Sequence, residues 1–313
     1  MANVFPELVP ETPLRDGEPA VRTLFIVNPT SGRDRSAHLR RKLLDTVAGI
    51  PGAQAIVLTQ AGEARYVAAD AARTGYERIV VAGGDGTVNE VINGIGDAPV
   101  ELGIVPLGTG NVLAYQLGLG SDMLEPALEV ISAAKVREFD LGKAGDVRFL
   151  LMAGFGFDAE VVRSVTARAK GLFGRMAYAP MLVRESVRYR PSEFRLVIDH
   201  ETVLSATAYN VVVCNCASYA PNFQIAPDAR PNDGLLDVLI FENRPGMKLR
   251  FLGWLSASLV TRWAADPSAV HYLAKHVWIE STPAVTMQLD GDVRGESGVA
   301  IEVLPKALRL IVP

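Results

Sequence analysis

The 313-residue sequence contains only two cysteines, Cys214 and Cys216. They lie two positions apart in an apolar run, which would place both thiols on one face of a strand where they cannot easily bond to each other. We therefore expect buried free thiols, with neither a disulfide framework nor a cysteine-based metal site. Such cysteine usage is typical of a reducing compartment.

Membrane-spanning and targeting segments are also missing. No apolar run approaches the ~20 residues that a transmembrane helix needs. Residues 1–21 carry four prolines among mixed charges and lack the basic and apolar regions of a signal peptide. We interpret them as a flexible arm on a cytoplasmic protein, which would contact a membrane as a peripheral protein at its inner face.

The sequence has no excess of positive charge, no fixed-period repeat and little sign of disorder. Its formal net charge is −4, which argues against nucleic acid as a partner. Hydrophobic residues make up 49% of the chain and charged residues 21%, so a packed core is expected. The length is enough for two domains.

The most informative stretch is residues 79–90. Four apolar residues predict a buried strand, three glycines then surround Asp85, and Thr87 with Glu90 has the spacing of a capping box, so a helix is expected to begin at Thr87. A strand, a glycine turn and a helix N-terminus together favour an anion site, because backbone N–H groups face the ligand. Since a carboxylate would repel phosphate, we expect Asp85 to hold a metal ion or its waters, or to orient a hydroxyl.

Familiar phosphate motifs do not account for this stretch. Asn89 stands where the Rossmann G-x-G-x-x-G needs its third glycine, and the P-loop G-x-x-x-x-G-K-[ST] is absent from the sequence. A plain structural turn is the remaining alternative, although such a turn needs only one or two glycines and no buried acid.

Two similar loops, at residues 25–33 and 102–111, also leave a strand and enter a helix. Alternating strands and helices between residues 22 and 141 predict a doubly wound parallel α/β domain, with ligands at the carboxyl ends of the strands. After residue 142 the pattern changes to short strands with turn signals, which predicts a mostly antiparallel, β-sandwich-like domain with one helical insertion. We leave open whether its last strand, residues 308–312, returns to the first domain.

Three motifs occur in order: Asn28-Pro-x-Ser-Gly, Gly83-Gly-Asp-Gly-Thr-x-Asn and Pro106-Leu-Gly-Thr-Gly-Asn. Together they resemble the diacylglycerol kinase catalytic-domain family, which includes sphingosine, ceramide and small bacterial lipid kinases, over the chain from about Thr23 onward. The resemblance implies ATP in the first domain. The implied contacts are Asn28, Thr30, Ser31, Gly32, Thr59, Gly83, Gly84, Asp85, Gly86, Thr87, Val88, Asn89, Gly108, Thr109 and Asn111. An Asn-Pro turn and helix caps are the structural alternatives for the first and third motifs, and a cap can also contact phosphate.

A fourth motif, Ala229-x-x-x-Asp233-Gly-x-Leu-Asp, resembles the family segment that holds Mg²⁺. The resemblance implies the carboxylate of Asp233 with the backbone carbonyls of Arg230 and Leu235 as ligands. Oxygen-only ligation suits Mg²⁺ or Ca²⁺ and not zinc. An ordinary hairpin turn is the alternative reading of Asp-Gly.

A fifth motif, Leu289-Asp290-Gly291-Asp292, resembles the family's L-D-G-E, whose acids form the catalytic centre. Asp292 is one methylene shorter than the usual Glu, a difference of about 1 Å that matters for a positioned base. Either Asp290 or Asp292 is expected to be the base, and the other to orient the metal and its waters. A hairpin turn is again the structural alternative.

The helical insertion predicts contact with an anionic membrane surface. Between Arg163 and Arg190 it carries seven basic residues against one acid, Glu185, interleaved with apolar side chains, a composition typical of interfacial segments. A solvated basic face over a core stripe is the alternative. The aromatic stretch at residues 247–263 is interpreted as core packing.

Taken together, these motifs predict an ATP- and Mg²⁺-dependent kinase that phosphorylates a hydroxyl of a diacylglycerol- or sphingoid-type lipid in a cleft between two domains. The alternatives are a relative of NAD kinase or 6-phosphofructokinase, which share the Gly-Gly-Asp-Gly loop, and a lipid-binding protein that has lost catalysis. The Asn28 loop and the late Leu-Asp-Gly-Asp favour the lipid kinases, and the intact acids oppose the loss of catalysis. A monomer and a homodimer both remain open.

Overall fold

The computed structural model describes residues 7–9, 21–32, 35–108, 110–120, 124–164, 184, 188–221, 223–246, 253, 263–264 and 269–313. The chain divides into two compact units. Unit 1 comprises Met1–Phe139 and Ala307–Pro313, and unit 2 comprises Asp140–Lys306.

In unit 1, strands and helices alternate along the chain. The strands are β1 (Glu7–Val9), β2 (Thr23–Val27), β3 (Ala53–Val57), β4 (Arg78–Gly83) and β5 (Glu101–Pro106). The helices are α1 (Arg35–Val47), α2 (Glu63–Arg73), α3 (Asp85–Ile95), α4 (Val112–Gln116) and α5 (Leu124–Ala133). Strand β6 (Val136–Ala144) contributes residues to both units.

Unit 2 contains one described helix, α6 (Phe157–Ser164), among many strands. The strands are β7 (Val147–Phe149), β8 (Met152–Gly156), β9 (Ser192–Ile198), β10 (Thr202–Cys214), β11 (Ser218–Ala220), β12 (Phe223–Gln224), β13 (Leu236–Glu242), β14 (Trp263–Ala264), β15 (Val270–Ala274), β16 (His276–Thr282), β17 (Thr286–Leu289) and β18 (Asp292–Glu296). The long last strand, β19 (Val299–Ile311), again contributes to both units.

The sheet of unit 1 is parallel in the order β3-β2-β4-β5. Every residue of β2 is buried, as expected for a strand covered on both faces, and its near-continuous apolar sequence reflects that environment. The end of β19 adds a further parallel strand, since Arg309 and Leu310 pair with Glu101 and Leu102 of β5. The predicted parallel α/β architecture is thereby confirmed.

Antiparallel pairing dominates unit 2. Strand β10 pairs antiparallel with β8, β9 and β13, and β17 pairs antiparallel with β8 and β18. Its core is built from alternate residues of these strands, among them Phe155, Phe194, Leu196 and Val211. Burial of these apolar side chains stabilises such a layer, and the prediction of a β-rich second domain is confirmed.

Helix α3 begins at Asp85, two residues earlier than predicted, and the proposed capping box is wrong. Gly84 occupies the N-cap position, and no side chain caps it. The Thr87 hydroxyl instead accepts a hydrogen bond from Asn28 Nδ2 (2.8 Å), and Glu90 Oε1 accepts one from the Gly62 amide (3.0 Å). Partners from distant loops thus outcompete the local pairing that the S/T-x-x-E spacing suggested.

Cys214 and Cys216 are free and buried, as expected. Of the predicted flexible arm, Glu7–Val9 instead pairs antiparallel with β3, whose outer edge offers unpaired backbone groups. Residues 1–6 and 10–20 of the arm, most of the basic insertion (165–183 and 185–187) and most of residues 247–263 lie outside the described residues. No helix in the described part of the chain is long and apolar enough to cross a bilayer.

Candidate active site

The first motif forms a compact turn at the carboxyl end of β2. Asn28 Oδ1 accepts hydrogen bonds from both the amide (2.9 Å) and the hydroxyl (2.8 Å) of Thr30, and the Ser31 amide donates to the Asn28 carbonyl (3.3 Å). Gly32 follows with φ 81°, a left-handed conformation that favours glycine. Because Asn28 Nδ2 donates to Thr87, this turn is fixed to the start of α3.

The glycine loops after β4 and β5 meet backbone to backbone. A Cβ on Gly108 would lie 2.5 Å from the Gly84 Cα, closer than real Cβ atoms come. The amides of Leu107 and Gly108 both donate to the Gly83 carbonyl (3.0 and 3.1 Å). Glycine is required here because two backbone segments approach closely, so the second and third motifs form one structure.

Asp85 uses its carboxylate to join the same two loops. Oδ2 accepts the Val112 amide (3.0 Å) and Oδ1 the Leu113 amide (3.2 Å), at the first two residues of α4. Although the residue as a whole is partly exposed, burial of the carboxylate raises its pKa, and the hydrogen bonds from these amides act in the opposite direction. In the structure the acid thus satisfies two helix N–H groups that would otherwise lack an intrahelical partner.

The other predicted nucleotide residues differ in accessibility. Gly86 lies in the first turn of α3, whereas Val88 and Asn89 are almost fully buried. Asn111 is buried in a left-handed conformation (φ 51°) and donates through Nδ2 to the Gly108 carbonyl (2.6 Å). Its Oδ1 has no hydrogen-bond partner among the described residues. Thr109, between them, lies outside those residues.

The loop after β3 is tied to the same region. Glu63 Oε2 accepts hydrogen bonds from the Thr59 amide (2.6 Å), the Thr59 hydroxyl (3.0 Å) and the Gln60 amide (3.2 Å). Together with the Gly62 to Glu90 bond, this places Thr59 in a loop that is linked to α3. Unit 1 therefore brings four strand ends together at one edge of its sheet.

In unit 2, Asp290 and Gly291 form the two-residue turn between β17 and β18. Leu289 pairs with Asp292 across it, and φ is positive at both turn residues (49° and 86°), as in a type I′ turn. The hairpin reading of this motif is thus structurally right.

The two acids of this motif have different surroundings. Both oxygens of Asp290 accept backbone hydrogen bonds: Oδ2 from Leu150 (2.8 Å), and Oδ1 from Leu151 (2.8 Å) and Met152 (3.0 Å). The Asp292 side chain is 45% exposed, and its Oδ2 lies 3.5 Å from Arg294 Nη2. Asp290 anchors the turn, whereas Asp292 presents a carboxylate to solvent.

The predicted magnesium loop is held by an acid that sequence reasoning missed. Asp140 is 1% exposed, and its two oxygens accept the amides of Gly234 (2.7 Å) and Lys306 (2.7 Å). Asp233 is exposed, and its Oδ1 accepts the Leu235 amide (3.0 Å). No group of three or more His, Cys, Asp or Glu side chains suited to a metal occurs among the described residues. A site here would therefore depend on Asp233 and backbone carbonyls, a donor set that fits Mg²⁺.

Asn215 connects this loop to the catalytic-motif turn. It is buried, and its Nδ2 donates to the carbonyls of Asp140 (2.9 Å) and Leu150 (2.7 Å). Leu150 in turn donates its amide to Asp290. The position of Asn215 between two cysteines in an apolar run was the sequence signal that could have identified it, whereas Asp140 follows Arg137 and Glu138 and carries no such signal.

The chain is similar to proteins of known families over most of its length. Residues 22–144 match the family model of the diacylglycerol kinase catalytic domain, and residues 152–312 match the YegS C-terminal NAD kinase beta sandwich-like domain. A Bacillus subtilis protein named diacylglycerol kinase is 28% identical over 280 residues, covering 88% of this chain and 90% of its own. A Chromohalobacter salexigens protein named "Probable lipid kinase YegS-like" is 32% identical over 262 residues, covering 82% and 83%.

Solved structures agree with this assignment. A crystal structure of a diacylglycerol kinase from Bacillus anthracis is 26% identical and has a TM-score of 0.75, covering 94% of this chain and 97% of its own. The chain has the fold of a kinase, that is, an enzyme that transfers phosphoryl groups. It belongs to the diacylglycerol kinase family and carries the YegS-type C-terminal domain. The resemblance inferred from the motifs is confirmed.

Proposed function

We propose that this enzyme transfers the γ-phosphate of ATP to a hydroxyl of a diacylglycerol- or sphingoid-type lipid. The observation that best supports ATP binding is the union of three loops in unit 1. Asn28 bonds to Thr87, and Gly84 meets Gly108 without room for a Cβ. Since no side chain caps α3, its first-turn N–H groups would be available to phosphate oxygens.

Asp85 would act in this site by holding the two glycine loops in register. Its carboxylate accepts the amides of Val112 and Leu113, so it cannot lose those bonds without freeing the start of α4. A direct contact of Asp85 with a metal ion or its waters, as the sequence suggested, stays a prediction.

The fit of Mg²⁺ rests on oxygen donors in unit 2. Asp233, with the carbonyls of Arg230 and Leu235, would hold the ion, and Asp140 would keep the loop in shape through the Gly234 amide. When bound, the ion neutralises negative charge that develops on the transferred phosphoryl group.

Of the two candidate bases, Asp292 is the better supported. A general base must reach the substrate hydroxyl and have a free lone pair. Three backbone amides occupy the oxygens of Asp290, whereas the carboxylate of Asp292 is exposed. Asp292 would take the proton of the lipid hydroxyl while the hydroxyl oxygen bonds to the γ-phosphorus of ATP. The bond between that phosphorus and the oxygen bridging the β- and γ-phosphates would then break, releasing ADP.

Lipid phosphorylation from radiolabelled ATP, measured on a panel of diacylglycerol, sphingoid base, ceramide and phosphatidylglycerol, tests this function. The wild-type enzyme should label at least one of these lipids, and Asp292→Asn should lower turnover by about 10²-fold or more while ATP affinity is kept. Labelling of NAD instead would support the NAD-kinase alternative. Lipid binding without any labelling would favour the inactive lipid-binding protein.

We further propose that the enzyme reaches its lipid through an anionic membrane surface. The basic insertion between Arg163 and Arg190 supports this by composition, since each basic residue near such a surface contributes about 1 kcal/mol. Replacing Arg168, Lys170 and Arg175 with Ser should weaken sedimentation with anionic vesicles, and high salt should do the same. Binding that ignores both changes would leave the insertion as a solvated basic face.

A further inference from the structure

A buried acid lies beneath the turn that carries the candidate base. Asp158, in the first turn of α6, is 0% exposed, and Gln288 of β17 is 2% exposed. Gln288 Nε2 donates to Asp158 Oδ2 (3.2 Å), and Gln288 Oε1 accepts the Gly291 amide (2.7 Å). One amide side chain thus connects a buried carboxylate to the centre of the Asp290-Gly291 turn.

The backbone leaves space for this pair. Gln288 pairs with Gly154 across β17 and β8. A Cβ on Gly154 would lie 1.9 Å from Asp158 Oδ2 and 2.6 Å from Gln288 Nε2. Only glycine at this strand position allows the carboxylate and the amide to meet over the sheet.

The direction of the two hydrogen bonds made by the Gln288 amide depends on Asp158. An amide has a donor end and an acceptor end, and an ionised carboxylate can only accept. Asp158 therefore selects the rotamer of Gln288 in which the carbonyl faces the Gly291 N–H. In the opposite rotamer two N–H groups would face each other, leaving a buried donor unpaired.

From this geometry we infer that Asp158 and Gln288 are positioning residues that set the Asp290-Gly291 turn, and with it the direction of the Asp292 carboxylate. The inference rests on the proposed function for the role of Asp292. Asp290 fixes one side of the turn through residues 150–152, and Gln288 fixes the other. A displacement of about 1 Å in a positioned base can cost on the order of 10²-fold in rate.

Titration of Asp158 would give this arrangement a pH signature. Burial raises the pKa of Asp158 to about 6, although hydrogen bonds from Gln288, Ala159 and Tyr219 lower it. Other titratable groups interact electrostatically with Asp158: Tyr189, Cys214 and, through a long hydrogen bond of 3.5 Å, Tyr219. Burial raises the pKa of both Tyr189 and Cys214, so they stay neutral in the range where Asp158 titrates. Glu160 on the same helix is paired with Arg163 (2.5 Å) and also bonds to Thr286.

A charge-swap experiment tests the inference. Asp158→Asn removes the group that orients the amide, and Gln288→Glu places two carboxyl groups against each other. The double variant Asp158→Asn with Gln288→Glu restores both bonds in mirrored form, because the new amide donates to the new carboxylate, which still accepts the Gly291 N–H. Each single variant should lower kcat at least 10-fold with unchanged KM for ATP, and the double variant should recover to within about 3-fold of wild type.

The pH profile supplies a readout that a purely structural role would not move. Wild-type kcat should fall as pH drops below about 6. In Asp158→Asn this fall in kcat should occur at lower pH, near the usual pKa of an exposed aspartate. Asp199→Asn is the matched control: Asp199 also accepts two backbone amides (Lys275 and His276, 2.8 Å each) but has no link to the turn. It should change neither kcat nor the profile.

Hydrogen exchange of the Gly291 amide separates failure of this inference from failure of the proposed function. Protection should fall in each single variant and return in the double variant, whether or not any lipid is phosphorylated. An active wild-type enzyme whose single variants keep wild-type kcat, pH profile and Gly291 protection would overturn the positioning role. Absence of all lipid-kinase activity in wild type, with protection changing as expected, would overturn only the proposed function.

Discussion

Asp290→Asn and Asp292→Asn should differ in stability although both should impair catalysis. In Asp290→Asn the remaining carbonyl oxygen can still accept the amides of Leu151 and Met152. The new Nδ2 group then faces the Leu150 amide, which loses its acceptor. An unpaired buried donor costs about 1–3 kcal/mol, so the free energy of unfolding should fall by that amount.

The same substitution at Asp292 should lower the free energy of unfolding much less. Asp292 forms an ion pair with Arg294, 3.5 Å away, and the two side chains are 45% and 38% exposed. Exposed pairs of this kind contribute about 0–1 kcal/mol. Asp292→Asn should therefore fold with nearly wild-type stability and still lose turnover, as expected for a residue that acts on the substrate.

Urea unfolding and single-turnover phosphorylation, measured on both variants, distinguish the two roles. Asp292→Glu, which restores the family's usual residue, should remain active because it keeps a carboxylate that can reach the hydroxyl, whereas Asp290→Glu should be destabilised, because the longer side chain cannot fit the three amides. If Asp290→Asn were as stable as wild type, or if Asp292→Asn kept full turnover, the division into anchor and base would be wrong.

Two further predictions concern the buried acid and the glycine contact. Since folding raises the pKa of Asp158 from 3.8 to about 6, the native state binds more protons in this range, so stability should decrease as pH rises from about 4 to about 6, by up to roughly 3 kcal/mol. Urea unfolding at several pH values should show this dependence in wild type, and an unchanged dependence in Asp158→Asn would contradict it. Gly108→Ala should weaken ATP binding by more than about tenfold, because its Cβ meets the Gly84 backbone at 2.5 Å. Gly84→Ala, with a Cβ contact of 3.3 Å, should do less, and Gly49→Ala, at 3.4 Å from the nearest atom, should match wild type in calorimetric titration.

Local pattern was sufficient to predict the fold class of each of the two units. The buried apolar run of β4 and the glycines that follow it predicted a strand and a turn correctly, because strand burial and turn conformation depend mainly on adjacent residues. The start of α3 was wrong by two residues, because Thr87 and Glu90 bond to Asn28 and Gly62 from other loops.

The order of the motifs, the alternation that gives a parallel sheet, and hence the family of the enzyme can be read from the amino-acid sequence. The groups that each acid contacts depend on the three-dimensional fold. Asp85 bonds to amides 27 and 28 positions away, Asp290 to amides about 140 positions away, and Asp158 to a glutamine 130 positions away. Hydrogen bonds form between groups that folding brings within about 3 Å, and no local spacing encodes which distant amide will occupy that position. The roles of anchor, positioning residue and candidate base therefore follow from the fold and not from the motifs in which these acids occur.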